Sequence, residues 1–174
     1  MRTDLPFDED ALWSKLHAET VALAAGEPFL ASFLHATVIN HRSMVNSLSY
    51  LLAGKLASAN LPSLGFSEIA AHVFASSPET RDAICRDLAA SSQRDPASRG
   101  IANPFLNQKG FHALAAYRIG HLLWEERRYA LALFLQNRIS EVFAVDIHPR
   151  GVARHRRLYR SRNGCRDWRD SSGW

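Results

Sequence analysis

Before residue 140 no stretch alternates apolar with polar residues as a strand would. The apolar residues return instead every three or four positions. That regularity excludes sheet-based architectures and predicts an all-α, multi-helix body. The apolar stripes are wide and loops interrupt them, which fits a bundle better than a coiled coil. No repeat of fixed period is present.

The helices can be placed from their start and stop signals. Leu12, Trp13, Leu16, Thr20, Leu23 and Ala24 recur at helical spacing after an acidic start at Asp8, Glu9 and Asp10, which suits the positive end of a helix dipole. Gly26 is a stop, and Pro28 opens a second helix with its stripe at Phe29, Leu30, Phe33, Leu34 and Thr37. Asn40-His41-Arg42 connects to a third, capped by Ser43 and running through Met44, Leu48, Leu51, Leu52 and Leu56. After the loop Asn60-Leu61-Pro62-Ser63, a short helix is expected from Ser67. Another follows from Ser77-Pro78-Glu79 to about Ala90. The polar stretch from Ser91 to Gln108 reads as one long loop. A long helix through Phe111, Leu114, Tyr117, Arg118, Leu122 and Leu123, and a last one from Ala130 to Ala144, complete the body.

Composition narrows the setting. Hydrophobic residues make up 47% of 174, enough to bury a core. Cys85 and Cys165 set no disulfide framework and show no metal spacing, so a reducing, cytoplasmic location is expected. The N-terminal MRTDLPFDED is not a secretory signal, and no apolar run approaches the roughly 20 residues of a membrane span. Charge is uneven. From Arg150 to Trp174 there are eight arginines, no lysine and two aspartates, a net +6. The whole chain carries +4, so the first 149 residues carry −2. Any affinity for nucleic acid would rest on that tail alone and would be non-specific.

No phosphate loop, nucleophile elbow or zinc pattern occurs. His17, His35, His72, His112 and His121 fall inside helices with nothing in the sequence to pair them, so each reads as a structural or surface histidine. Two places stand out. Arg94-Asp95-Pro96-Ala97 is either a rigid turn or a carboxylate held at a fixed angle to take an ammonium group. Val145-Asp146-Ile147-His148-Pro149 is either a polar helix exit or a carboxylate that orients a catalytic histidine located elsewhere.

These two places, with Glu27-Pro28-Phe29-Leu30-Ala31-Ser32-Phe33, Leu48-Ser49-Tyr50-Leu51-Leu52-Ala53-Gly54-Lys55-Leu56, Lys109-Gly110-Phe111-His112-Ala113-Leu114, Ala116-Tyr117-Arg118-Ile119 and Ala132-Leu133-Phe134-Leu135-Gln136-Asn137, resemble the bacterial serine O-acetyltransferases, in order from about Leu12 to Pro149. The resemblance implies acetyl transfer from acetyl-CoA, a co-substrate and not a resident cofactor, to the hydroxyl of L-serine in cysteine biosynthesis. It implies a helical domain over 8–145, followed from 146–149 by a left-handed β-helix of hexapeptide repeats, and a homo-oligomer joined through the helical domains. Asp146 would orient the general-base histidine, and Asp95 and Pro96 would help hold serine.

After Pro149 the likeness stops. Where the family continues with repeats rich in Ile, Val and Gly, this chain has an arginine-rich segment, 150–174, expected to be disordered. A shifted reading frame accounts for it. If each codon's last two bases are read with the first base of the next, permitted codons from His155 onward spell Ile, Gly, Ala, Phe, Ile, Asp, His, Ala, a run of hexapeptide type. The general base then falls at the position of Ser161. Sequencing the gene around codons 149 to 155 tests that account. With base and acetyl-CoA pocket missing, the 174-residue chain is expected to be inactive alone. The alternative is a non-catalytic helical oligomerisation module. In either case Phe134, Ile139, Val142 and Phe143 are expected to face water for want of the β-helix.

Overall fold

A computed structural model describes residues 8–94 and 100–151. Among them there is no strand, in agreement with the all-α reading. Helix α1 spans Glu9–Gly26. The Asp8 carboxylate accepts the Ala11 N–H at 2.9 Å, and Glu9 and Asp10 sit in the first turn. Its buried stripe is narrow, Leu12, Leu16 and Thr20, while Leu23 is exposed.

The second predicted helix is three pieces. A 3₁₀ turn at Pro28–Leu30 leads into α2 (Ala31–Leu34), which widens into a π-helical turn at His35–Ile39. Tightening and then widening the turn shifts the helical phase, so the predicted stripe splits. Leu34 and Thr37 are buried, but Phe29 is fully exposed and Leu30 and Phe33 are largely so.

Helix α3 (Met44–Leu56) starts at Ser43, whose hydroxyl accepts the Asn46 N–H. Ser47 donates to the Thr37 carbonyl at 2.6 Å, tying α3 to the π turn. After a tight turn between Ser58 and Leu61, α4 (Ser63–Ser76) begins directly behind Pro62, not at Ser67. Proline's fixed φ of −58° and its free carbonyl, which takes the Phe66 N–H, are enough to start it. Helix α5 (Pro78–Arg94) is capped by Ser77, which accepts the Thr80 N–H at 3.1 Å, and runs past the predicted end at Ala90. The stretch read as one loop contains a short helix, α6 (Ala102–Asn107). Helices α7 (Lys109–Glu125) and α8 (Tyr129–Phe143) follow.

The core centres on α7, buried from Phe111 to Tyr117 and again at Ile119, Gly120 and Leu123. It packs mainly on α8 and α5, while α3 packs on α4. Phe66, Phe105 and Phe111 are the largest fully buried side chains. Each is worth about 3 kcal/mol of apolar burial. Arg138 of α8 donates to the Leu56 and Ala57 carbonyls, closing the C-terminal end of α3.

The expected exposed face on α8 is not there. Ile139 and Phe143 are buried and Phe134 and Val142 half-buried, because that side of α8 lies on the body of the bundle. The exposed apolar side chains of α8 are Tyr129 and Leu133. No described helix is long and apolar enough to cross a membrane.

Candidate functional site

Asp146 lies three residues beyond α8. The helix ends on Ala144, a non-glycine residue in the left-handed region (φ 58°, ψ 36°) whose N–H returns to the Ser140 carbonyl at 2.9 Å. The chain turns back there. Asp146 is exposed, and its Oδ1 accepts a hydrogen bond from Gln136 Nε2 at 2.7 Å.

The residues that follow lie along α7 as a strap. The His148 ring meets the Trp124 indole edge-on, with centroids 4.9 Å apart, and His148 Nδ1 accepts the Arg150 N–H at 3.1 Å. His121 Nδ1 faces the Pro149 carbonyl at 2.7 Å. A carbonyl can only accept, so the proton is on Nδ1. His121 stacks on Tyr117, whose hydroxyl donates to the Gly151 carbonyl. The strap is thus fixed by three side chains of one helix.

Asp95 and Pro96 lie outside the described residues, as does the segment 152–174, including Ser161. Both edges of the 95–99 gap are nevertheless defined. Upstream, Asp87 of α5 is only 2% exposed and receives Arg118 Nε of α7 at 2.5 Å, so the helix leading to Asp95 is joined to the helix that holds the strap. Downstream, the Glu19 carboxylate accepts the N–H groups of Ile101 at 2.7 Å and Ala102 at 2.9 Å, supplying α6 with a cap from α1. Ser92 donates to the Gly100 carbonyl at 2.9 Å. Gly100 has φ +123°, and a Cβ there would lie 2.4 Å from the Glu19 carboxylate. This is a place where only glycine fits.

His112 links α6 to the end of α8. Its Nε2 donates to the Phe105 carbonyl of α6 at 2.7 Å, and its ring packs against Phe143, three residues before Asp146. The ring is fully buried and Nδ1 has no partner among the described residues. Burial pushes its pKa down to about 4, with Lys55 adding to the fall against the opposing pull of the Phe105 hydrogen bond. Cys85 is buried too, and desolvation pushes its thiol up to about 12, so it is inert at neutral pH.

His17 meets the Ile39 carbonyl, His72 the Glu126 carboxylate, and His112 and His121 backbone carbonyls. Among the described residues no group of three His, Cys, Asp or Glu could hold a metal ion. Glu19, Asp87, Arg118, His121 and Gln136 were not legible as site residues. Apart from Gln136, each acts on a segment 28 or more positions away. What the site offers chemically is an exposed carboxylate held by one oxygen, beside a strap bonded to α7.

Comparison with known proteins adds a family. The family model described as serine acetyltransferase, N-terminal, matches residues 12–116. A serine acetyltransferase of Salmonella typhimurium is 47% identical over 146 residues, covering 83% of this chain and 54% of its own. Among solved structures, a serine acetyltransferase in complex with CoA superposes with a TM-score of 0.79 at 44% identity, over 81% of this chain and 60% of that one. Soybean serine acetyltransferase complexed with serine gives 0.79 at 43% identity, over 83% and 60%. The chain spans about half the length of the curated relatives it matches.

Proposed function

Since this chain belongs to the serine acetyltransferase family, we propose that it forms the helical part of an enzyme that acetylates L-serine from acetyl-CoA. Solved relatives are complexes with CoA and with serine, which supports both substrate classes. In the reaction, a histidine takes the proton of the serine hydroxyl as the oxygen attacks the thioester carbonyl. The C–S bond then breaks, and CoA leaves as a thiol on taking that proton.

Asp146 is proposed to hold the imidazole in its working tautomer and to stabilise the imidazolium, as a buried or oriented carboxylate does in other dyads. Asp95 and Pro96 are proposed to hold the ammonium end of serine. The observation that carries the reading is the exposed Asp146 carboxylate, bonded on one oxygen and mounted beside a strap pinned to α7. The family resemblance implies that the base and the acetyl-CoA pocket lie in the half of the relatives' length that the match does not reach, and the 174 residues by themselves are proposed to be inactive. A thiol-release assay on the pure chain tests this: release at the uncatalysed rate is expected, and turnover well above it would refute the proposal.

A second reading, a helical self-association module, is favoured by one observation. Val21, Leu23, Phe29, Leu30 and Phe33 are all exposed around the end of α1 and the turn into α2. Light scattering should then give a mass above 19.5 kDa, falling to that value in F29D/F33D. A monomeric parent chain would remove this reading.

A further inference from the structure

We propose that Gln136 is the positioning residue for Asp146, fixing the rotamer in which that carboxylate presents its second oxygen. The inference rests on the reading of Asp146 as an orienting carboxylate. It is carried by where the two residues meet.

Gln136 lies seven residues before the end of α8, about 10 Å back along the axis at 1.5 Å per residue. A residue beyond Phe143 that continued in line would move further away. Asp146 reaches Gln136 because Ala144 takes the left-handed conformation, at a steric cost an L-residue seldom accepts, and sends the chain back beside the helix. The far end of the same segment is pinned by His121 and Tyr117 through the Pro149 and Gly151 carbonyls. With the backbone held at both ends, the free variable left to Asp146 is its own side-chain torsion.

Gln136 Nε2 sets that torsion. The amide donates to Oδ1 at 2.7 Å, and among the described residues no other bond to the carboxylate is found, so Oδ2 is left to accept from a ring N–H. An amide suits this task better than a cation. A lysine or arginine here would compete for the carboxylate's charge, which an imidazolium needs. The bond lies at the surface, so it adds little to stability, and its effect is on direction.

The test reads that direction in the 174-residue chain, without requiring turnover. In the parent chain, the Hα–Hβ and N–Hβ couplings of Asp146 should show one large and one small value, the signature of a single rotamer. The Gln136 side-chain amide should show slowed exchange. In Q136A, and in Q136E, which keeps the shape but loses the N–H donor, the two couplings should collapse to equal intermediate values. Helical circular dichroism and the melting temperature should not change. Averaged couplings in the parent chain, or a single rotamer surviving in both variants, would overturn the proposal. Either result would leave the acetyltransferase reading standing, because the couplings report torsion and not chemistry.

Discussion

The segments on either side of the candidate site are both held by side chains from distant parts of the sequence, but by different means. The corner at Gly100–Ala102 is held by a carboxylate on two backbone N–H groups, at a glycine whose φ of +123° an L-residue rarely adopts. The strap after Asp146 is held by single side-chain hydrogen bonds, an exposed one from Gln136 and partly buried ones from His121 and Tyr117. Charged bonds to partly buried amides are worth about twice a neutral bond, and losing them leaves donors unpaired. The corner should therefore govern whether the domain folds, and the strap should govern only where a carboxylate points.

The largest effect tests the corner. G100A forces a Cβ against the Glu19 carboxylate and an L-residue into φ +123°, and is expected to cost about 4 kcal/mol. E19A should cost about 3 kcal/mol by orphaning the Ile101 and Ala102 amides. Urea unfolding measures both. If either cost less than the strap variants below, the contrast would be wrong.

The second effect tests His112, which links the helix after the corner to the end of the helix before the strap. In the folded chain it stays neutral down to about pH 4, whereas in the unfolded chain it takes a proton near 6.5. The unfolded state therefore binds the extra proton between those values. The stability from a neutral His112 is complete above pH 6.5 and falls as the pH drops towards 4, by about 3 kcal/mol. Unfolding free energies of the parent and H112Q, compared at pH 7.5 and 4.5, should show the variant losing less. Equal losses would mean that His112 is not the group responsible.

The smallest effect sharpens the strap. H121A removes the donor to the Pro149 carbonyl and should cost about 1 kcal/mol, read as about fivefold faster amide exchange at Gly151 with global stability barely changed. Exchange that slowed or stayed fixed would show that Tyr117 and the Trp124–His148 contact suffice.

Sequence and structure agree where the information is local. Ser43 and Ser77 cap the helices that follow them as expected, and the acidic start at Asp8 proves to be a cap as well, because a cap is written within four residues. They part where the cause is remote. Helix α6 was hidden because it has six residues, contains Pro104 and takes its cap from Glu19, 82 positions away. Ile139 and Phe143 looked unpartnered, yet α8 turns them towards α7 and its surroundings. The role proposed for Asp146 comes from the family resemblance, and only its place after a helix was legible in the residues themselves. Gln136 was not, since nothing in the sequence says that the chain doubles back at Ala144.

The π-helical turn at His35–Ile39 has a consequence for the surface. A π turn holds one residue more than its α-helical equivalent, and one residue of helix is about 100° of rotation. Taking a single residue out of that turn would spin the preceding segment by roughly that angle. Phe29 and Phe33 would then be aimed elsewhere with no change to either side chain. The direction in which these exposed rings face is thus a matter of angular bookkeeping, set by one spare residue.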